Sequence, residues 1–143
     1  MRIRPAVRND HPALCAIDNV AAVDPARSDD IAGWIEQGCC HLVEIDGAVA
    51  AYGVLTRHFF GQAFIDMLMV GNAHRRQGLG AALIAHFQAT CAGSKLFSST
   101  NMSNRPMQDL LVKAGFRPSG YIDNLDENDP EIVFCSLPKP IPA

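Results

Sequence analysis

Between Phe64 and Cys91 an apolar run, a basic glycine-containing loop and a second apolar run follow one another, and this order restricts the chain more than any other stretch of it. Phe64 to Val70 reads F-I-D-M-L-M-V and is bounded by Gly61 and Gly71, which predicts a buried strand. Leu79, Leu83 and Phe87 then stand four residues apart, with Ile84 and Cys91 widening the stripe, which predicts a helix. The connecting segment, G-N-A-H-R-R-Q-G-L-G, holds Arg75 and Arg76 ahead of Gly78 and Gly80.

Such an arrangement suits an anion. The first N–H groups of a helix lack intrahelical partners, and the helix dipole adds partial positive charge there. Gly78 and Gly80 leave those donors uncovered by side chains, although a glycine inside a helix costs up to ~1 kcal/mol against alanine. Arg75 and Arg76 add charge, and charge-assisted hydrogen bonds contribute roughly 1.5–3 kcal/mol each. A plain loop whose glycines only relieve crowding at a strand–helix junction fits the same residues, and the pattern alone leaves both readings open.

Two nucleotide motifs fit poorly. No Lys-Ser or Lys-Thr pair follows the glycines, as a P-loop requires. For a dinucleotide fingerprint, Leu83 stands where the third glycine or alanine belongs, and no acidic residue near position 100 could hold a ribose. The segment Arg75-Arg76-Gln77-Gly78-Leu79-Gly80 instead resembles the R-x-x-G-x-G pyrophosphate loop of the GNAT N-acetyltransferases. Downstream, Asn104 followed by Lys113-Ala114-Gly115-Phe116 is similar to the N-x-x-A-x-x-x-Y-x-K-x-G-F segment of that family. Two matches in the right order, with the strand before them, cover roughly Phe64 to Phe116 and are more specific together than either alone.

Composition sets the outer bounds. A chain of 143 residues with 48% hydrophobic and 19% charged residues can bury a sizeable core as one domain, 1–143. Its formal net charge of −3 argues against a general nucleic-acid binder. The start, M-R-I-R-P, places charge where a signal peptide needs an apolar run. Gln77 to Ser94 carries no charge, but its glycines, glutamines and His86 favour a buried helix over a membrane span. The cysteines, Cys15, Cys39, Cys40, Cys91 and Cys135, are odd in number and lack C-x-x-C spacing. Adjacent strand residues point to opposite faces, so Cys39-Cys40-His41 makes a poor metal site, and no metal is expected. Thiols in a reducing cytoplasm are the expectation.

Taken in order, Arg2 to Val7 alternates as a strand. Asp10 and Pro12 open a helix with Ala13, Ile17, Val20 and Ala21 on its apolar face, and Pro25 is expected to break it. Ser28-Asp29-Asp30 is expected to cap a short second helix through Trp34 to Gln37, stopped by Gly38. Cys39 to Ile45, Asp46-Gly47, and Ala48 to Thr56 read as a hairpin, with Arg57 to Gly61 joining it to the next strand. Lys95 to Thr100 is a further strand, and a helix begins near Asn104 to Pro106 with Met107, Leu110, Leu111 and Ala114 inward and Gly115 as its stop. Gly120 to Asn124 and Glu131 to Leu137 are closing strands, Asp123 to Glu131 an acidic loop, and Pro138 to Ala143 a loose extended tail. The fold class is therefore α/β (α+β), a mixed central sheet of about seven strands with four helices. That order agrees with the GNAT fold, in which, by resemblance, the sheet splays after the fourth strand and acyl-CoA enters the gap.

The resemblance implies a transfer of acetyl from acetyl-CoA directly to a primary amine of a small molecule or peptide. Such a transfer needs a base for the amine, a donor for the oxyanion and a leaving thiolate. By resemblance, Leu68, Met69 and Val70 offer strand backbone to the pantetheine arm, and Arg75, Arg76, Gln77, Gly78, Leu79, Gly80 and Ala81 hold the pyrophosphate. Asn104, and more weakly Asn101, match cofactor-contacting asparagines, while a helix N-cap also explains Asn104. Asp66, the one ionisable residue in its strand, is the candidate base, with a solvent-facing or capping carboxylate as the equal alternative. The family's general-acid tyrosine falls at Leu111, which cannot donate a proton. Tyr121 is the candidate substitute and Tyr52 a second, each also explained by aromatic packing. His74 can support phosphate from the loop or simply lie on the surface. The acidic loop is a solvated surface or attracts a cationic acceptor. A non-catalytic acyl-CoA-binding or sensing module is the rival reading, kept open by Leu111. The expected partners are the amine acceptor alone, without nucleic acid or membrane, and a homodimer is left open.

Overall fold

The computed structural model describes residues 1–138; the remainder of the expected loose tail, with Pro140 and Pro142, lies outside the described residues. The strands are β1 (Arg2–Pro5), β2 (Cys40–Ile45), β3 (Ala48–Phe59), β4 (Gln62–Val70), β5 (Leu96–Asn101), β6 (Arg117–Ile122) and β7 (Glu131–Ser136). The α-helices are α1 (His11–Ile17), α2 (Pro25–Glu36), α3 (Leu79–Thr90) and α4 (Arg105–Lys113). They build one mixed seven-stranded sheet in the order β1-β2-β3-β4-β5-β7-β6. Neighbours β1/β2, β2/β3, β5/β7 and β6/β7 are antiparallel, whereas β4 and β5, joined through α3, are parallel. Contacts divide the chain into two compact units, Met1–Leu55 with Met67–Leu83, and Thr56–Asp66 with the chain from Ile84 on.

In the first unit Ala6, Leu14, Ile31, Cys40, Leu42, Tyr52 and Val54 form a buried cluster against which Ile17, Trp34, Met67 and Met69 pack. Helix α1 stops at Ile17, short of the expected Val20 and Ala21. The cause is Asp18, whose carboxylate accepts from the N–H groups of Val20 (2.8 Å) and Ala21 (3.2 Å) and so offers the backbone an alternative to the helix. Pro25 opens α2 instead of breaking the helix before it. Asp24 is the N-cap, accepting from Ala26 N at 3.0 Å, and a proline in the first turn lacks only a donor that would be unpaired anyway. Ser28 is accordingly not a cap; its hydroxyl meets His11 Nε2 at 3.3 Å.

Asp18 is itself buried and also accepts from the Tyr52 hydroxyl and from Arg27 Nη1 at 3.0 Å. Burial pushes its carboxyl up, but Tyr52, the Ala21 N–H, Arg27 and the Val20 N–H together outweigh this and hold it below the usual carboxylate range. Further along, Gly71 ends β4 with its N–H on Ala50 O at 2.8 Å. A Cβ there would sit 3.2 Å from both Ala50 O and Ile17 Cβ, so a side chain would have to push these neighbours back by a few tenths of an ångström.

In the second unit the expected connector Arg57 to Gly61 is largely strand. β3 runs through Phe59 and turns into β4 over Phe60 (φ 53°) and Gly61 (φ 73°), the left-handed pair of a type I′ hairpin. The signal was hidden because Phe60 is not a usual turn residue. Phe59 stacks on Phe64 (centroids 4.9 Å apart) and packs against Phe97 (5.2 Å), while Phe64 and Phe97 are register partners across the parallel pair. Strand β6 begins at Arg117, before the expected Gly120; its register shifts between Pro118 and Gly120, and as an edge strand it tolerates the proline. Gly115, at φ 93°, ends α4 as expected.

Removing the Asp18 carboxylate leaves Arg27 as an uncompensated, largely buried charge. Asp18→Ala is expected to lower stability by roughly 3–5 kcal/mol, measured by urea unfolding. Because the folded carboxyl titrates below its unfolded value of about 3.9, its contribution is full above that pH and is lost as pH falls through the folded value. The variant should therefore show a shallower acid limb than wild type, and an unchanged limb would contradict this account.

Candidate functional site

The stretch Leu68 to Ala81 lies within the first unit as one continuous path. Leu68, Met69 and Val70 are half-buried at the end of β4, and Gly71 is locked to Ala50. A single 3₁₀ turn, Asn72–His74, follows. Arg75 is extended, Arg76 turns left-handed at φ 63°, and Gly78 does so again at φ 76°. Leu79, 3% exposed, anchors the first turn of α3 in the core.

This geometry leaves donors uncovered. The first helical bond of α3 runs from Ala82 N to Gly78 O at 3.0 Å, so the N–H groups of Leu79, Gly80 and Ala81 stand ahead of the ladder. Open space surrounds the position a Gly78 Cβ would take. Arg75, Arg76 and Gln77 are exposed, and neither guanidinium makes a hydrogen bond or ion pair among the described residues. Free backbone donors at a helix start beside two unengaged arginines can hold a pyrophosphate. His74 closes the 3₁₀ turn half-buried.

The remaining candidates lie in the second unit, except Tyr52, which belongs to the first. Asp66 is exposed on β4 and accepts from the buried Thr56 hydroxyl at 2.8 Å, which fixes one carboxylate oxygen and leaves the other open. Asn104 is the N-cap of α4, accepting from Met107 N at 3.2 Å. Asn101 donates through Nδ2 to Asp126 Oδ2 at 2.7 Å, and its backbone oxygen accepts from Asn104 N at 2.9 Å. The two asparagines thus bracket the turn into α4. Tyr121 is 66% exposed on β6, whereas Leu111 is fully buried, so nothing at that position reaches a reacting group. Tyr52 is buried with its hydroxyl on Asp18.

The acidic loop is braced as well as charged. Asp129 accepts from Ser103 N (3.0 Å) and Ser103 Oγ (2.6 Å), and Glu131 accepts from Ser99 Oγ at 2.7 Å. Asp123 and Glu127 stay exposed. Sequence reasoning did not single out Arg27 or Asp18. Their pairing with Tyr52 depends on residues far apart in the chain, and no local spacing signals it. Among the described residues no group of three or more His, Cys, Asp or Glu side chains could hold a metal, and no helix is long and apolar enough to cross a membrane.

Comparison with known proteins agrees with this geometry. The model of the acetyltransferase (GNAT) family matches residues 9–116. An acetyltransferase of the GNAT family from Bacillus cereus is 30% identical, with 97% of this chain and 98% of that one covered and a TM-score of 0.87. The ribosomal-protein-S18-alanine N-acetyltransferase of Escherichia coli is 20% identical over 99% of this chain and 96% of that one, TM-score 0.79. The yncA protein of Salmonella typhimurium, solved with its cofactor acetyl-CoA, is 21% identical over 100% and 96%, TM-score 0.77. Among curated protein sequences none matches the chain significantly. A strand, basic glycine loop and helix in this mixed sheet, matched by the family model over most of the sequence, make this chain a member of the acetyltransferase (GNAT) family.

Proposed function

We propose that the protein transfers acetyl from acetyl-CoA directly to the primary amine of a small molecule or peptide. The observation that carries this reading is the start of α3, where the N–H groups of Leu79, Gly80 and Ala81 stand ahead of the helical ladder in the same loop as the exposed Arg75 and Arg76. In this reading the backbone of Gln77 to Ala81, with Arg75 and Arg76, holds the pyrophosphate. Leu68, Met69 and Val70 present backbone to the pantetheine arm, and Asn104 and Asn101 contribute from the turn into α4. Acetyl-CoA supplies an activated thioester, and the protein's own groups position it and handle protons.

Asp66 is the proposed base, acting directly or through water. Its Thr56 hydrogen bond holds the carboxylate in one orientation while leaving an oxygen free to accept. Leu111 supplies no acid, and the chemistry tolerates that. A thiol ionises near ~8.5, so a thiolate leaves readily near neutrality, whereas an amine near ~10.4 is almost wholly protonated and cannot attack. Tyr121 is the proposed secondary donor. We further propose a cytoplasmic setting, supported by the family and by the buried thiols of Cys40, Cys91 and Cys135.

Three experiments test this. Gly78→Val and Gly80→Val should abolish stabilisation by CoA, which for wild type at 100 times Kd amounts to about 2.7 kcal/mol, with far-ultraviolet circular dichroism unchanged. Undiminished CoA affinity in both variants would remove the basis of the proposal. Asn104→Ala should lower stability by ~1 kcal/mol through the lost cap. Asn104→Asp should keep the cap yet weaken CoA binding by charge repulsion, and equal CoA affinity in Asn104→Asp and wild type would reduce Asn104 to a cap. Finally, Asp66→Asn should lower turnover by roughly 10²-fold, with much of the loss recovered at alkaline pH where the amine is free. In the same pH–rate series Tyr121→Phe should cost less and Leu111→Tyr gain little. Wild-type rates in Asp66→Asn beside an inactive Tyr121→Phe would reverse the assignment.

A further inference from the structure

Arg27 projects from α2 with its side chain only 18% exposed, and its Nη1 lies 3.0 Å from Asp18 Oδ2 and 3.9 Å from Met67 Sδ. A buried arginine–aspartate pair is a weak stabiliser, because well-packed apolar residues of the same volume do as well or better. Two observations give it another use. First, Asp18 is not satisfied by Arg27 alone. The Val20 and Ala21 N–H groups and the Tyr52 hydroxyl already donate to it, so three neutral dipoles share in compensating its charge. Arg27 thus gives Asp18 a single contact, through Nη1. Second, the contacts to Asp18 and Met67 both leave from Nη1, the Tyr52 hydroxyl lies close to the same guanidinium, and the Nε–Nη2 edge takes no part in the two contacts. That edge offers two parallel N–H donors, the fork that matches a carboxylate. The contacts through Nη1 hold the fork in place, which reduces the entropy lost when an anion binds.

We propose that Arg27 is a binding residue for a carboxylate carried by the acceptor, and that acceptors of this enzyme bear both a primary amine and a carboxylate, as amino acids and short peptides do. The inference rests on the amine-transfer reading above. Met67 immediately precedes Leu68, Met69 and Val70, so a carboxylate on Arg27 holds the acceptor beside the strand proposed to carry the thioester. Asp18 is then a positioning residue, acting through the arginine.

Recognition can be measured without turnover. N-acetylglycine, N-acetylalanine and N-acetylleucine, each with its C-terminal amide, are titrated calorimetrically into CoA-saturated protein. The acids should bind about 10-fold to 100-fold tighter than the amides, the range of one charge-assisted bidentate contact. Arg27→Gln should erase that preference, and Arg27→Lys, which keeps charge without the fork, should restore only part of it. Equal affinity for acid and amide, no binding of either, a preference that survives Arg27→Gln, or parallel loss of acid and amide binding in that variant would each overturn the assignment. An intact acid preference with no acetylation of any amine would instead sink the transfer reading alone.

Discussion

A buried carboxylate has to be met by donors wherever the chain can bring them, and Asp18 draws its donors from three places at once: the segment after α1, helix α2 and strand β3. Left uncompensated, such a charge costs several kcal/mol, so these elements hold their arrangement together or not at all. The same residue stops α1 at Ile17, and Ile17 is the side chain that Gly71 must clear to end β4. The path of the anion loop thus begins at a helix end defined by a side-chain hydrogen bond more than fifty residues earlier in the chain.

What was legible in the sequence was what local physics decides. The period of Leu79, Leu83 and Phe87, the Asp46-Gly47 turn and the Asn104-to-Pro106 helix start each depend on a few neighbouring residues, and each reappears in the structure. Pro25 misled because proline both ends and begins helices, and only the Asp24 cap decides which. Phe60 misled because its left-handed turn is supported by packing on Phe59, an aromatic contact that turn propensity does not capture. Strand β6 was expected only from Gly120, three residues after its true start at Arg117, because Pro118 does not read as strand, whereas an edge strand accommodates it.

The candidate site divides along the same line. Its loop was readable because the residues from Arg75 to Ala81 are contiguous and their meaning is carried by backbone. Asp66 could be named but not characterised, since the Thr56 hydroxyl that orients it comes from another strand. The acidic loop read as free charge, yet Asp126 and Asp129 are tied to Asn101 and Ser103, and Asp126 stays exposed beside Asp123 and Glu127. Arg27 was not legible at all, because a guanidinium acquires a role only from what surrounds it.

The thiols carry a consequence for a protein of this family. A thioester reacts with any accessible thiolate, so an acetyltransferase with cysteines near its own cofactor risks acetylating itself by exchange. Burial, with lesser contributions from Cys39 and Asp10, pushes the Cys40 thiol up to about 12, and burial likewise raises Cys91 and Cys135. At neutral pH these three sulfurs are protonated and enclosed, and only thiolates exchange. The core that gives the sheet its packing therefore also keeps most of the chain's sulfur chemically silent toward the acetyl donor.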